Sequence, residues 1–327
     1  MLIDSAKNPG HDVPAGFRHE AFVYTDDEDF LHRAAPYVRA GVDAGDVVLV
    51  AVPQQRIKLL REELGDHAEE VTFVDMTEAG RNPARIIGLW RDLLDENPGR
   101  PVRGLGEPMY VGRTQAEVEE ARLYEALLNV AFEHAGPFRL RCPYEAAVAS
   151  PEMRVAENHP VVLPTSDPAR HEPLYETLYE QERPWAELAW NAFRAPLAAV
   201  PDHAERRMFS RADLTDLRLW ATTQARSYGL SENRNDDLAL ALHEVSMNSI
   251  RFGGGRGTLA FWREEDRLIC DVSDNGHIAD LLIGRVPPPV TLEGGRGVWL
   301  ANQLCDLVQI RSAPRSTQVR LHITLMP

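Results

Sequence analysis

The chain has 327 residues, of which 44% are hydrophobic, and a formal net charge of −15 at pH 7. This length is sufficient for two domains with separate cores. The negative charge, together with the lack of any long run of Lys and Arg, argues against direct binding to nucleic acid or to an anionic membrane surface.

Three widely spaced cysteines, Cys142, Cys270 and Cys305, lie in apolar stretches. They fit neither a disulfide framework nor a zinc site of the paired Cys-x-x-Cys type, so we expect buried structural thiols in a reducing compartment. The N-terminal sequence MLIDSAKNPGHDVPAG lacks the apolar core of a signal peptide, and no apolar stretch is long enough to cross a bilayer. The expectation is a soluble, cytoplasmic protein.

Helix-like and strand-like stretches alternate between residues 18 and 163, which we predict to form the first domain. Val47–Val52 is a continuous β-branched run, typical of a strand that is buried on both faces. Further strands are predicted at 71–75, 102–105 and 138–142, and helices at 27–44, 54–65, 82–96 and 114–135. This alternation predicts a doubly wound α/β domain, with a mostly parallel sheet between two layers of helices.

The first domain carries no phosphate-binding loop, because the sequence PQQRIKLL follows the strand at 47–52. Ligands of doubly wound sheets bind beyond the C-terminal ends of the strands. Glu107 and Tyr144 are predicted to lie on that edge. Turn formation and packing are the simpler explanation of both residues, and the pattern does not identify a ligand.

A turn-rich linker with a short acidic helix at 175–191 is predicted over 164–193, and a second domain over 194–327. Its first helix is expected to begin at Ser210 and end at Gly229, and the next to run from Ser231 to the glycines at 253–255. Strands are predicted at 258–263, 268–274, 306–312 and 318–325, with a helix at 297–305. Helices over an antiparallel sheet form an α+β sandwich.

Glu244 and Asn248 are four residues apart in the second of these helices, so their side chains project from the same face. An amide oxygen can bind Mg²⁺, and a neighbouring carboxylate can orient or deprotonate a hydroxyl group. Taken alone, the pair is more simply interpreted as a solvated helix flank.

Asp274, Asn275 and Gly276 end a predicted strand and begin a loop of about twenty residues, a length that is usually functional within a compact domain. The aspartate could accept a hydrogen bond from an exocyclic amino group such as that of adenine. The loop ends in a glycine-rich turn that opens a helix, where backbone N–H groups can bind phosphate. A hairpin turn and a flexible loop are the alternatives. The glycines at 253–257 follow a helix C-terminus and are interpreted as a turn.

In this order and spacing, the motifs resemble the ATP-binding domain of the GHKL superfamily, and most closely the serine-kinase anti-sigma factors of bacterial partner-switching systems. EVSMNSIRFGGG stands at the N-box, SDNG at the first glycine box and GGRGVWLANQLCDLV at the second. The resemblance implies Glu244 as the catalytic base, Asn248 as the Mg²⁺ ligand and Asp274 as the adenine contact. It also implies a nucleotide-binding wall and lid formed by Gly276, Gly294, Gly295, Arg296 and Gly297. Ile278 and Phe252 depart from the family pattern, in which a glycine and a histidine are usual.

The first domain resembles the MEDS sensory domain, a relative of the RecA/KaiC-type fold without its phosphate loop. The resemblance covers residues 19–163 and rests on HEAFVYTDDEDFL, GVDAGDVVLVAVP and RGLGEPMY. It implies a sensing role, with a small-molecule ligand at this domain. A MEDS domain followed by a serine-kinase-like ATPase domain is the arrangement of one class of actinobacterial anti-sigma regulators.

The two resemblances together imply a regulator of stress-response transcription with ATP and Mg²⁺ as cofactors. It would sequester a sigma factor and phosphorylate a Ser or Thr of a STAS-type anti-sigma-factor antagonist, under the control of the sensory domain. Whether the chain forms a homodimer is left open. Two alternatives remain: a non-catalytic module in which nucleotide shapes a protein-binding surface, and a small-molecule sensor with a vestigial ATP site.

Overall fold

The computed structural model describes residues 16–147, 155–163, 184–288 and 295–325. The chain forms two compact units. The first comprises Met1–Ala79, Asp92–Arg113 and Leu128–Arg183, and the second comprises Gly80–Arg91, Thr114–Leu127 and Pro184–Pro327. The second unit therefore takes two short segments from the first half of the chain. The domain limits at 18–163, 164–193 and 194–327 stay a prediction.

The first unit contains a six-stranded parallel sheet with the strand order β3-β2-β4-β5-β1-β6. Its strands are β1 (Phe17–Tyr24), β2 (Val47–Val52), β3 (Val71–Asp75), β4 (Val102–Gly106), β5 (Phe138–Glu145) and β6 (Val161–Val162). The helices of this half of the chain are α1 (Asp27–Asp43), α2 (Gln54–Leu64), α3 (Met76–Ala79), α4 (Ile86–Glu96), α5 (Gln115–Ala131) and α6 (Val155–Asn158).

The four strands and four helices predicted for this half are confirmed, with small differences at their ends. A parallel α/β sheet is confirmed as well, whereas its doubly wound topology stays a prediction. The sequence does not predict β1, because this strand carries His19 and Glu20 among its buried residues. The Arg141 guanidinium on β5 donates to Glu20 Oε2 at 2.7 Å and 3.0 Å, which compensates for burial of the carboxylate.

The second unit contains a five-stranded antiparallel sheet with the strand order β10-β11-β9-β8-β7. Its strands are β7 (Glu205–Ser210), β8 (Arg256–Glu264), β9 (Arg267–Asp274), β10 (Leu307–Ala313) and β11 (Ser316–Thr324). The helices are α7 (Trp185–Arg194), α8 (Leu214–Ser227), α9 (Glu232–Phe252) and α10 (Gly297–Leu304). This antiparallel sheet with helices agrees with the predicted sandwich. The predicted linker helix lies outside the described residues at 175–183, and α7 covers the remainder.

The predicted helix ends of this unit are confirmed by local hydrogen bonds and backbone angles. Ser210 and Asp213 form a capping box ahead of α8, and Gly229 lies beyond its end with φ +90°. Helix α9 begins after Ser231 and ends before Gly253. Helix α9 packs on β8, β9 and β11 and also contacts α8 and α10.

Both faces of the antiparallel sheet are covered within the second unit. Helix α9 buries Leu238, Ala241, Leu242 and Val245, the stripe that the sequence pattern predicts. On the other face, Trp262 and Ile269 pack with Ala204 and Val200, from the segment that precedes β7. This packing leaves one flank of α9 free to meet α10.

Candidate functional site

Glu244 and Asn248 lie one turn apart on the flank of α9, and both are partly buried. Gly297, the first residue of α10, packs on this flank. A Cβ atom at Gly297 would lie 2.6 Å from Glu244 Oε2 and 3.5 Å from Asn248 Nδ2. The structure therefore brings three of the predicted site residues, from two separate motifs, into one place.

Asp274, at the end of β9, is held from two sides. Ser249 Oγ donates to Asp274 Oδ2 at 2.6 Å, and the Gly276 N–H donates to Asp274 Oδ1 at 2.7 Å. Because Ser249 directly follows Asn248 in α9, this carboxylate adjoins the acid–amide pair along the helix. A carboxylate has about four acceptor positions, so Asp274 retains acceptor capacity for a ligand.

Ser249 and Gly253 belong to this site although the sequence analysis does not single them out. The interpretation of 253–257 as a turn explains Gly254 and Gly255, whose φ angles are +91° and +83°. Gly253 has an ordinary φ of −97° but is buried against Asp274, and a Cβ atom there would lie 2.5 Å from Asp274 Oδ1. The available signal was that the first glycine after the helix faces the strand end where the aspartate lies.

We expect Gly253→Ala to weaken both the fold of this unit and the binding of nucleotide. The added methyl group would displace the Asp274 carboxylate from its two hydrogen bonds. Overpacking of this kind lowers the free energy of unfolding by about 1–3 kcal/mol. Loss of an oriented acceptor should weaken Mg·ATP binding by about tenfold or more. Chemical denaturation and calorimetric titration of the full-length chain measure the two effects.

Gly136→Ala is the matched control for this prediction. Gly136 is exposed in the first unit, and a Cβ atom there would have no heavy atom within 4 Å. Its unfolding free energy should stay within about 0.5 kcal/mol of wild type. If Gly253→Ala behaves in the same way as this control, the close packing of Gly253 on Asp274 does not matter for the site.

The remaining predicted residues lie at the margin of the site. Gly294 falls outside the described residues. Gly295 and Arg296 are exposed, and the nearest heavy atom to a Cβ at Gly295, whose φ is +82°, would be Pro288 Cβ at 4.0 Å. Of the glycine segment from 295 to 297, therefore, Gly297 alone contacts the acid–amide pair in the described part of the chain.

The loop between β9 and α10 is attached to α10 near its middle. Gly284 has a φ of +71°, and its carbonyl accepts a hydrogen bond from Asn302 Nδ2 at 2.9 Å. A Cβ atom at Gly284 would lie 3.0 Å from the Val298 carbonyl carbon, so a side chain cannot be accommodated without movement. At the start of the loop, the Ile278 N–H donates to Ser312 Oγ at 2.8 Å. The departure at Ile278 is thus accommodated by a side-chain hydrogen bond from β10.

A cavity of about 660 Å³ adjoins Asp274 in the second unit. Its volume is in the range of small-molecule pockets. The lining includes Asp274 and Asn275, together with Ser210, Arg256 and Arg315, but not Glu244, Asn248 or Gly297. The predicted adenine contact and the predicted catalytic pair are therefore adjacent in the fold but do not line this cavity together.

The predicted edge of the parallel sheet carries a second polar cluster, in the first unit. Tyr24 O–H donates to Glu107 Oε1 at 2.6 Å, and the Arg56 guanidinium lies over the Tyr24 ring. Arg56 also pairs with Asp27 and, at 3.4 Å, with Glu145. Glu107 lies on the edge as predicted, whereas Tyr144 is buried with its ring edge-on to His159.

The fold of the first unit should lose stability as pH rises through the neutral range. Burial raises the pKa of Glu107 to about 8, against the smaller opposing effects of Tyr24 and Arg56. Between about pH 4.3 and pH 8 the folded protein keeps a proton that the unfolded chain has lost, so the free energy of unfolding decreases with pH by at most ~5 kcal/mol. Chemical denaturation across this range measures the slope.

Glu107→Gln should remove most of this pH dependence, because the amide keeps an acceptor for Tyr24 without a titrating group. The wild-type and variant stabilities should therefore diverge as pH rises, with the variant the more stable of the two above about pH 8. Parallel stability curves for the two proteins would show that Glu107 is not the group responsible.

Comparison with known proteins agrees with this division of the chain. The model of the MEDS family (methanogen/methylotroph, DcmR sensory domain) matches residues 18–160, and that of the histidine kinase-like ATPase domain matches residues 209–323. The chain thus consists of a MEDS domain followed by a histidine kinase-like ATPase domain, as its motifs indicate. A search of curated proteins found no match. No helix in the described part of the chain is long and apolar enough to span a membrane.

Two solved structures show a distant similarity. The RsbU and RsbW domains of Rv1364c from Mycobacterium tuberculosis share 14% identity over 38% of this chain, with a TM-score of 0.28. The chain spans 33% of that protein's length. The second structure is the ATPase domain of another protein, which shares 11% identity over 48% of this chain and 71% of its own, with a TM-score of 0.31.

Proposed function

We propose that this chain is an ATP-dependent partner-switching regulator. Its ATPase domain would bind Mg·ATP, sequester a sigma factor and transfer the γ-phosphoryl group to a Ser or Thr of a STAS-type antagonist. The MEDS domain would control these activities through a ligand of its own. The contact of Gly297 with Glu244 and Asn248, beside an oriented Asp274, is the observation that carries this proposal.

The polar groups of the site fit a magnesium nucleotide. Mg²⁺ prefers few protein oxygens, completed by water and phosphates, so the Asn248 amide oxygen is a suitable single ligand. The bound ion would neutralise charge on the phosphates. Asp274 retains acceptor capacity for an adenine amino group, and the absence of a side chain at Gly297 keeps the start of α10 close to α9.

The catalytic roles follow from the same arrangement. Glu244 would accept the proton of the attacking hydroxyl group, which requires it to remain next to Asn248. The segment Gly294, Gly295 and Arg296, together with Gly276 at the other end of the loop, would close over the phosphates. Phosphoryl transfer depends mainly on positioning and charge stabilisation, so no further protein nucleophile is needed.

A non-catalytic protein-binding module is the alternative that a specific observation favours. The cavity beside Asp274 does not include Glu244 or Asn248 in its lining. A nucleotide bound through Asp274 alone would shape a protein-binding surface without passing on its phosphate. A partner that binds stably but remains unphosphorylated in the presence of Mg·ATP would favour this function over the kinase.

Calorimetric titration of the full-length chain with Mg·ATP is the direct test of nucleotide binding. The full chain is needed because the second compact unit includes Gly80–Arg91 and Thr114–Leu127. We expect one binding site per chain, and intact-mass analysis of STAS-type antagonists after incubation should then reveal a phosphorylated Ser or Thr. The absence of any heat of binding at millimolar nucleotide would remove the kinase proposal.

A further inference from the structure

Three potential metal ligands meet in the core of the first unit, away from the nucleotide site. His19 lies on β1, Cys142 on β5 and His159 directly after α6, and all three are almost fully buried. Their nearest ligand atoms lie within 4.8 Å of one another. Cys142 is buried, as the sequence indicates, but its surroundings are not purely apolar, because its Sγ lies 3.3 Å from His19 Nε2.

The hydrogen bonds of the two imidazoles determine which ring nitrogen can bind a metal. Asn129 Nδ2 donates to the Asn158 carbonyl at 2.8 Å, which turns the amide oxygen of Asn129 towards His19 Nδ1 at 3.1 Å. His159 Nδ1 lies 2.8 Å from the Val155 carbonyl, which can only accept. Nδ1 is therefore the protonated nitrogen in both rings.

Protonation at Nδ1 leaves the lone pair of each histidine on Nε2. This is the usual state of metal-binding histidines, whose second nitrogen donates to a carbonyl, carboxylate or water and so fixes the ring orientation. In the described structure the two outer partners are themselves anchored: Asn129 by the Asn158 carbonyl, and the Val155 carbonyl by its place in α6. The rings are thus held in an orientation that suits metal binding before any ion arrives.

The spacing and chemistry of these atoms suit a tetrahedral ion with nitrogen and sulfur ligands. For Zn²⁺, Zn–N and Zn–S bonds of about 2.1 Å and 2.3 Å place the two ligand atoms about 3.6 Å apart. The observed separation of 3.3 Å between His19 Nε2 and Cys142 Sγ is close to that value. The ring centroids of His19 and His159 are 4.2 Å apart, so the second imidazole is within reach after a small adjustment.

The geometry points to a transition-metal site in the first unit, with His19 Nε2, Cys142 Sγ and His159 Nε2 as ligands and Zn²⁺ as the ion that matches them. One further ligand, from the protein or from water, would complete a tetrahedron. On binding, the Cys142 thiol loses its proton to solvent and the thiolate bonds to the metal, with no change of oxidation state. The site would connect β1 and β5 to the segment Val155–Leu163.

Metal uptake by the full-length chain tests this inference. The protein is treated with a chelator under reducing conditions, dialysed and titrated with Zn²⁺ in competition with a chromophoric chelator. We expect one equivalent of Zn²⁺ per chain, and the same stoichiometry for Co²⁺. The Co²⁺ form should show a sulfur-to-cobalt charge-transfer band and the visible bands of tetrahedral coordination. Zn²⁺ should also raise the melting temperature, because a ligand that binds the folded state stabilises it.

Matched variants separate this site from adventitious binding. Cys142→Ser should lose the charge-transfer band and weaken Zn²⁺ binding by about 10-fold or more, and His159→Gln should weaken it comparably. Cys270→Ser makes the same chemical change at a buried cysteine of the second unit and should bind as wild type does. If the folded wild-type chain takes up no stoichiometric Zn²⁺ or Co²⁺, or if Cys142→Ser retains the band, the three residues form a hydrogen-bonded core and not a metal site.

Discussion

The Asn248→Ala variant is expected to bind Mg·ATP about 100-fold more weakly than the wild-type chain, the equivalent of about 3 kcal/mol. Asn248 is the proposed protein ligand of Mg²⁺, and its amide lies beside Gly297 at the start of α10. The loss should appear in the Mg²⁺-dependent part of the affinity. Calorimetric titrations with ATP in the presence of Mg²⁺ and in the presence of a chelator separate the two contributions.

Asn233→Ala provides the control for this prediction. Asn233 is an exposed amide in the first turn of the same helix, so its removal tests the general effect of an asparagine deletion in α9. It should leave the affinity for Mg·ATP unchanged. An Asn248→Ala variant that keeps both its affinity and its Mg²⁺ dependence would show that another residue holds the ion, or that the nucleotide binds elsewhere.

The Glu244→Gln variant is expected to lose phosphoryl transfer by about a thousandfold while it retains nucleotide binding within a small factor. The amide has nearly the same shape as the carboxylate, so its packing against Gly297 should be preserved. It cannot, however, accept the proton of an attacking hydroxyl group. Single-turnover transfer from radiolabelled ATP to a STAS-type antagonist measures the chemical step separately from binding.

Glu264→Gln is a suitable control, because Glu264 is exposed at the end of β8 and lies outside the proposed site. It should transfer phosphate at the wild-type rate. Unchanged transfer by Glu244→Gln would remove Glu244 as the base. A loss of nucleotide binding in parallel with transfer would instead indicate that the carboxylate helps to form the pocket.

The strands that the sequence predicts are those with continuous or alternating apolar residues, such as β2 and β9. The sequence does not reveal β1 and β7, and for different reasons. In β1 the buried polar residues His19 and Glu20 are satisfied by partners more than a hundred positions away, Asn129 and Arg141. In β7 most side chains are exposed at the edge of the sheet, so the apolar alternation that marks a strand is missing.

For the candidate site, the sequence alone determined the residue types and their spacing along α9, β9 and the start of α10. These features are local, because a four-residue separation fixes a common helix face and a glycine run marks a helix start. Only the tertiary structure decided that Gly297 meets Glu244, that Gly253 makes room for Asp274, and that Ser249 orients it. Each of these contacts joins elements far apart in the chain, and their distances depend on how the helices pack on the sheet. The same holds for His19, Cys142 and His159, which no sequence spacing connects and which the parallel sheet brings together.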